Sequence, residues 1–165
     1  MGKISLLVLI TLIPTLELRA SIPFGILKGG MPWWSVVVVC LSTNIVVGPL
    51  VYVCLDRAVF LLLKIGWLRG VYERTVTRTR EKIQKSVDRY GEFGVALFIG
   101  IPLPGTGSYS GALGAYLIGL GLRKFIIANI IGVLMAGTIV TTIVLSGVEV
   151  FRIFIEAGVS QGLVK

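Results

Sequence analysis

Charged residues are placed so that three long stretches of the 165-residue chain contain none. These stretches are 23, 30 and 24 residues long, at 33–55, 93–122 and 125–148. About 20 apolar residues of α-helix cross the roughly 30 Å hydrocarbon core of a bilayer, so each stretch is long enough to span. The pattern predicts an all-α integral membrane protein with a single membrane domain over residues 1–165.

The first apolar segment, Ile4 to Leu16, is only 13 residues long, too short to cross a bilayer. It contains Pro14, and further prolines and glycines follow it up to Pro32, among them Pro23 and Gly25. A segment that enters, turns and returns is a re-entrant hairpin, expected here over residues 4–30 and followed by a transmembrane helix over 33–55. We do not expect signal-peptide cleavage after Ala20, because Leu18 would occupy the −3 position, which requires a small residue.

The stretch 93–122 carries a second set of helix breakers. Pro102 and Pro104 interrupt it, and Gly105 and Gly107 follow at once. As a single helix it would be roughly 45 Å long, too long for a comfortable span. We therefore predict a second hairpin over 93–122, a transmembrane helix over 125–148 and a tail over 149–165.

The two halves, residues 1–55 and 93–148, share one plan: short arm, break, short arm and spanning helix. With one full crossing between them, the hairpins enter from opposite faces of the membrane. This predicts an inverted repeat of a re-entrant hairpin plus a transmembrane helix. In transporters built this way, the substrate site lies near the midplane, where broken helices meet.

The central segment, residues 56–92, is basic and holds nine of the sixteen Lys and Arg residues. From Arg69 to Arg89 its apolar residues fall on one helical stripe, which predicts an amphipathic helix on an anionic membrane surface. No nucleic-acid reading motif accompanies the charge, so we expect no nucleic-acid partner. The excess of Lys and Arg on this side predicts a multi-pass plasma-membrane protein with a cytoplasmic central segment.

The residue types exclude several kinds of site. The chain contains no His, and its two cysteines, Cys40 and Cys54, have no metal-ligand neighbours. This argues against zinc sites and His-based catalytic triads. We therefore expect a protein that binds no metal or cofactor and is not an enzyme.

Glu17 and Arg19 are the charges expected at bilayer depth. Ionisable groups there cost at least about 2.5 kcal/mol on insertion scales, and they commonly pair or face water. Glu17 is the candidate for taking up a proton or cation, with a pKa raised by a partly dry site. Arg19 is the candidate for neutralising it or for binding a phosphate. The alternative is that both sit at the interface.

The second break offers uncharged groups and freed backbone amides, and a helix N-terminus there would favour an anion. The alternative is that its prolines and glycines only turn the chain. Asn44 and Asn129 are possible site residues, although interhelical hydrogen bonding is the simpler role. The candidate substrate or ion-binding residues of the second break are Pro102, Pro104, Gly105, Thr106, Gly107, Ser108 and Ser110.

Glu17–Pro23, Pro102–Gly107 and Ser110–Leu113 resemble the signatures of the small multi-drug export protein family, in the DedA-like superfamily that is related to lipid scramblases. The resemblance covers Leu12 to Thr142. It implies two facing re-entrant hairpins in an inverted repeat. It also implies transport of lipids, with polyprenyl phosphates as the best candidate, or proton-linked export of small cations.

One departure affects proton coupling. DedA-like proteins thought to use the proton motive force carry arginines around the second hairpin, whereas Ile99–Pro102 has none. Arg19, or Arg123 at the foot of that hairpin, is the candidate replacement.

Three functions follow from these observations. The first is translocation of an amphipathic anionic lipid past Glu17, Arg19 and the second break. The second is proton-coupled export of lipophilic cations, and the third is a non-transporting assembly role through the basic helix. Two spanning helices are few to enclose a transport path, so we expect further copies of the chain as partners. Membrane lipids are the other expected partners.

Overall fold

A computed structural model describes residues 2–14, 16–62, 78–103 and 105–162, and the elements within these ranges are all helices. The order along the chain is α1 (Lys3–Thr11), α2 (Glu17–Pro23) with a π-helical turn (Phe24–Lys28), α3 (Trp33–Leu62), α4 (Arg78–Gly100), α5 (Ser108–Ile118) and α6 (Leu122–Gly162).

Two segments, Trp33–Leu61 in α3 and Leu122–Gly147 in α6, are long and apolar enough to cross a bilayer. They run antiparallel, since Leu41 packs against Gly137 and Tyr52 stacks on Phe125.

Both spanning helices are longer than predicted. α3 does not end at residue 55 but runs through Asp56 and Arg57 to Leu62, because no proline or glycine stops it there. α6 starts at Leu122 and continues to Gly162, so Arg123 and Lys124 lie in its first turn and most of the expected tail, 149–165, is helical.

The first break is residues 12–16, between α1 and α2. The chain reverses there, because α1 and α2 contact each other and both pack against α3. Pro23 and Gly25, predicted as turn residues, lie within helix instead. Since Pro23 has no N–H to donate, the helix widens just after it, and the Gly29 amide donates to the carbonyl of Phe24 at 2.9 Å.

The second break is residues 101–107, between α4 and α5. α4 runs unbroken from Arg78 to Gly100, so the predicted boundary between the basic segment and the second hairpin falls inside one helix. Of the predicted basic amphipathic helix 69–89, residues up to 77 lie outside the described residues. α4 makes its most extensive packing with α6, and α5 packs on α3 and α4.

Both breaks lie beside a long helix, away from its ends. The hydroxyl of Thr11, at the end of α1, is 3.8 Å from the Cys40 sulfur, which is roughly 10 Å along α3 from Trp33. Gly100, at the end of α4, packs against Met135, roughly 20 Å along α6 from Leu122. α2 also contacts α6, so the core places the two breaks against each other.

Candidate functional site

The site is the junction where the two breaks meet: Glu17 and Arg19 from the first segment, and residues 101–109 from the second. Glu17 begins α2 and is 4% exposed. Its carboxylate accepts hydrogen bonds from the backbone amides of Ser108 and Tyr109, each at 3.3 Å. These amides begin α5 and have no partner within their own helix, so Glu17 caps α5 from 91 residues away in sequence.

Backbone geometry on both sides makes this cap possible. Glu17 has a φ of 44°, an uncommon value for a residue with a side chain. Gly107, just before α5, has a φ of 139°, and a methyl group there would overlap the Glu17 carboxylate. Only glycine fits both the conformation and the space at this position.

Arg19, two residues into α2, binds the second break itself. Its guanidinium donates to the carbonyls of Leu103 and Thr106 and to the Thr106 hydroxyl, and lies 3.5 Å from the carbonyl of Ile101. Breaking a helix leaves carbonyls without partners, and a planar group with five N–H donors can satisfy several of them. Arg19 therefore stabilises the open backbone of the second break.

Hydroxyl groups complete the junction. The Tyr109 hydroxyl donates to the carbonyl of Leu12 in the first break at 2.7 Å. The Ser110 hydroxyl bonds back to the carbonyl of Gly107 at 3.4 Å. The Ser108 hydroxyl is fully buried, and the structure gives it no hydrogen-bond partner among the described residues.

The protein environment shifts the ionisation of Glu17, which lies outside both spanning helices. Burial raises the pKa of its carboxyl, whereas the amides of Tyr109 and Ser108 and the charge of Arg19 act in the opposite direction. Desolvation is the largest of these effects, so protonation is easier than for an exposed glutamate. A proton on Glu17 would weaken its hold on the α5 amides, because neutral acceptors form weaker hydrogen bonds.

The structure brings together most of the predicted site residues. Thr106, Gly107 and Ser108 contact Arg19 or Glu17, while Pro102 and Gly105 lie within the second break. Pro104 lies outside the described residues. Arg123 begins α6, roughly 18 Å along that helix from Met135, and is therefore not at the junction.

Asn44 and Asn129 lie at helix contacts. The Asn129 amide donates to the carbonyl of Ile45 in α3 at 3.3 Å, whereas Asn44 donates to Cys40 in its own helix. Both side chains are fully buried, and both amide oxygens are without a partner among the described residues.

Two carbonyl acceptors, those of Leu103 and Leu12, were missing from the sequence prediction. The hydroxyl of Tyr109 was among the polar groups that the second break offers. A carbonyl acceptor leaves no trace in residue types, so nothing in the sequence points to Leu103.

The junction combines a helix N-terminus, an acid that occupies it and a cation beside it. Such a site can exchange its own carboxylate for an external anion, or can bind a cation at Glu17. Within the described residues, no group of His, Cys, Asp and Glu could hold a metal ion.

A family model described as "Putative small multi-drug export protein" matches residues 17–139, about three quarters of the chain. The match begins at Glu17, and both Arg19 and the second break lie within it. No curated protein and no solved structure matches the chain.

Proposed function

The chain belongs to the small multi-drug export protein family, and from that premise we propose that it carries an amphipathic anionic lipid, such as a polyprenyl phosphate, across the membrane at the junction. One observation supports this most directly: Glu17 and Arg19 of the first segment both bind the backbone of the second break. The substrate path is then the contact between the two broken helices.

In this proposal both broken segments are re-entrant hairpins that enter from opposite faces. α1 has 9 residues and α5 has 11, so neither crosses a roughly 30 Å core. The contacts of Thr11 with Cys40 and of Gly100 with Met135 support a mid-depth position for both tips. The two halves then form an inverted repeat, consistent with kinship to the DedA-like superfamily, in the plasma membrane with the basic segment cytoplasmic.

An anionic head group fits the junction because it can replace Glu17 at the α5 N-terminus. The amides of Ser108 and Tyr109 and the adjacent Arg19 would bind phosphate oxygens as they now bind carboxylate and carbonyl oxygens. Transport requires the hairpins to separate, so Glu17 and Arg19 hold the closed state. Substrate and protonation of Glu17 both favour opening.

The test is translocation of a fluorescent polyprenyl phosphate in proteoliposomes. We expect Arg19→Ala to abolish it and Arg19→Lys to reduce it strongly, because Lys keeps the charge but cannot bind several oxygens in one plane. Arg57→Ala, at the far end of α3, is the control for loss of a cation. Unchanged translocation in folded, monodisperse Arg19→Ala protein would show that the head-group assignment is wrong.

A second candidate, proton-coupled export of a lipophilic cation, is supported by the buried Glu17 carboxylate and by the family description. A cation would pair with ionised Glu17 and leave when that group takes up a proton. Binding of a tetraphenylphosphonium probe should then weaken as pH falls, since protonation removes the charge, and should be absent in Glu17→Gln. Binding that is indifferent to pH and to this substitution would exclude the cation mechanism.

A further inference from the structure

A groove of about 350 Å³ runs between α4 and α6 on the outer surface, separate from the junction. Ala96 and Ala128, which are 4% and 1% exposed, form its floor. Phe93 and Ile131, which are 75% and 47% exposed, form its walls. The small residues between larger ones leave an apolar channel between the two helices.

The groove is short enough to lie within one leaflet of a bilayer. Its lining residues on α6 run from Ile127 to Met135, eight residues or roughly 12 Å. This is less than half of a roughly 30 Å hydrocarbon core. Its inner end, Met135, packs against Gly100, so the groove stops where the second break begins.

The outer end of the groove is polar and carries net positive charge. Arg89 and Glu92 line it, and Lys124 lies 3.6 Å from the Glu92 carboxylate. Among the side chains that the structure describes at this end, two cations, Arg89 and Lys124, lie near one acid, Glu92. Arg89 lies 5.3 Å from the centre of the Tyr90 ring. Tyrosine side chains are common at membrane interfaces, which fits a polar outer end of the groove.

We propose that this groove binds one acyl chain of an anionic phospholipid, whose phosphate is held at Arg89 and the first turn of α6. The apolar wall, a length that lies within one leaflet and the basic outer end together fit this occupant. The bound lipid would stabilise the packing of α4 on α6, and the proposal does not depend on which substrate the junction transports.

The experiment is native mass spectrometry of the purified protein with added phosphatidylglycerol or phosphatidylcholine. We expect retention of one phosphatidylglycerol. Phe93→Ala should reduce retention of both lipids by about fivefold, through loss of apolar contact. Arg89→Gln should reduce the preference for phosphatidylglycerol by about fivefold and leave phosphatidylcholine unchanged.

Two matched controls use the same residue types outside the groove. Phe98→Ala lies on α4 but not in the groove, and Arg57→Gln lies at the same end of the spanning helices on α3. Equal losses in variants and controls would overturn the proposal, because they would indicate nonspecific annular lipid. A dimer that Phe93→Ala dissociates would also overturn it, because the groove would then be a subunit interface. Cross-links from a lipid with a photoreactive chain, mapped to Leu97 and Ile127, would support it.

Discussion

The two breaks interrupt their helices in opposite ways. The first is short and is followed by two ionisable side chains, Glu17 and Arg19. The second is longer, uncharged and rich in glycine, and it presents bare amides and carbonyls. The side chains that follow the first break bind the backbone groups that the second break leaves without helical partners. Unpaired backbone N–H and C=O groups would be costly in a membrane, and this contact gives them hydrogen-bond partners.

If the close approach of the two breaks requires a residue without a side chain at position 107, Gly107→Ala should destabilise the protein more than the other substitutions. The methyl group would overlap the Glu17 carboxylate and force a left-handed backbone conformation on alanine. We expect a loss of stability of several kcal/mol, seen as failure to purify as a monodisperse species or as a large drop in the thermal unfolding midpoint.

Gly114→Ala is the control for this change, because a methyl group there meets open space within α5. It should be neutral or slightly stabilising, since alanine favours helix. Equal behaviour of the two variants would contradict the close approach of the breaks at Gly107.

If the first break acts through charge, Glu17→Gln should destabilise the protein less than Gly107→Ala but measurably. Hydrogen bonds to a charged group are worth about 1.5–3 kcal/mol, and the neutral amide keeps only part of that. The effect should shrink as pH falls, because protonation of the wild-type carboxyl makes it resemble Gln. Thermal unfolding of both proteins across pH checks this, and a constant difference would argue against a charged cap.

The smallest effect is expected from Tyr109→Phe, which removes a side-chain hydrogen bond that the second segment donates to the first. Loss of the bond to the Leu12 carbonyl should cost about 1 kcal/mol. Tyr90→Phe, whose ring is 60% exposed on α4, is the matched control and should be silent. If Tyr109→Phe destabilised the protein more than Glu17→Gln, the charged cap at Glu17 would not be the stronger of these two contacts.

The helical interruptions could be read from the sequence because their causes are local. Pro102, Gly105 and Gly107 fall within six residues, and the structure places the second break between Gly100 and Ser108. A single proline is not enough, since Pro23 lies within helix. Helix ends were less predictable, since α3 passes Asp56 and Arg57 without a breaker. Charge ends a hydrophobic stretch but does not end a helix.

The sequence by itself determined a helical membrane protein with two helices long and apolar enough to span, the family, and which side chains are available at the junction. Run length, hydropathy and helix breakers act over a few residues, so they can be read along the chain. Only the tertiary structure decided that Glu17 caps α5 and that Arg19 binds the carbonyls of the second break. Those partners lie 84 to 92 residues away, and backbone groups, which every residue carries, acquire a distinct role only when packing brings a particular side chain to them.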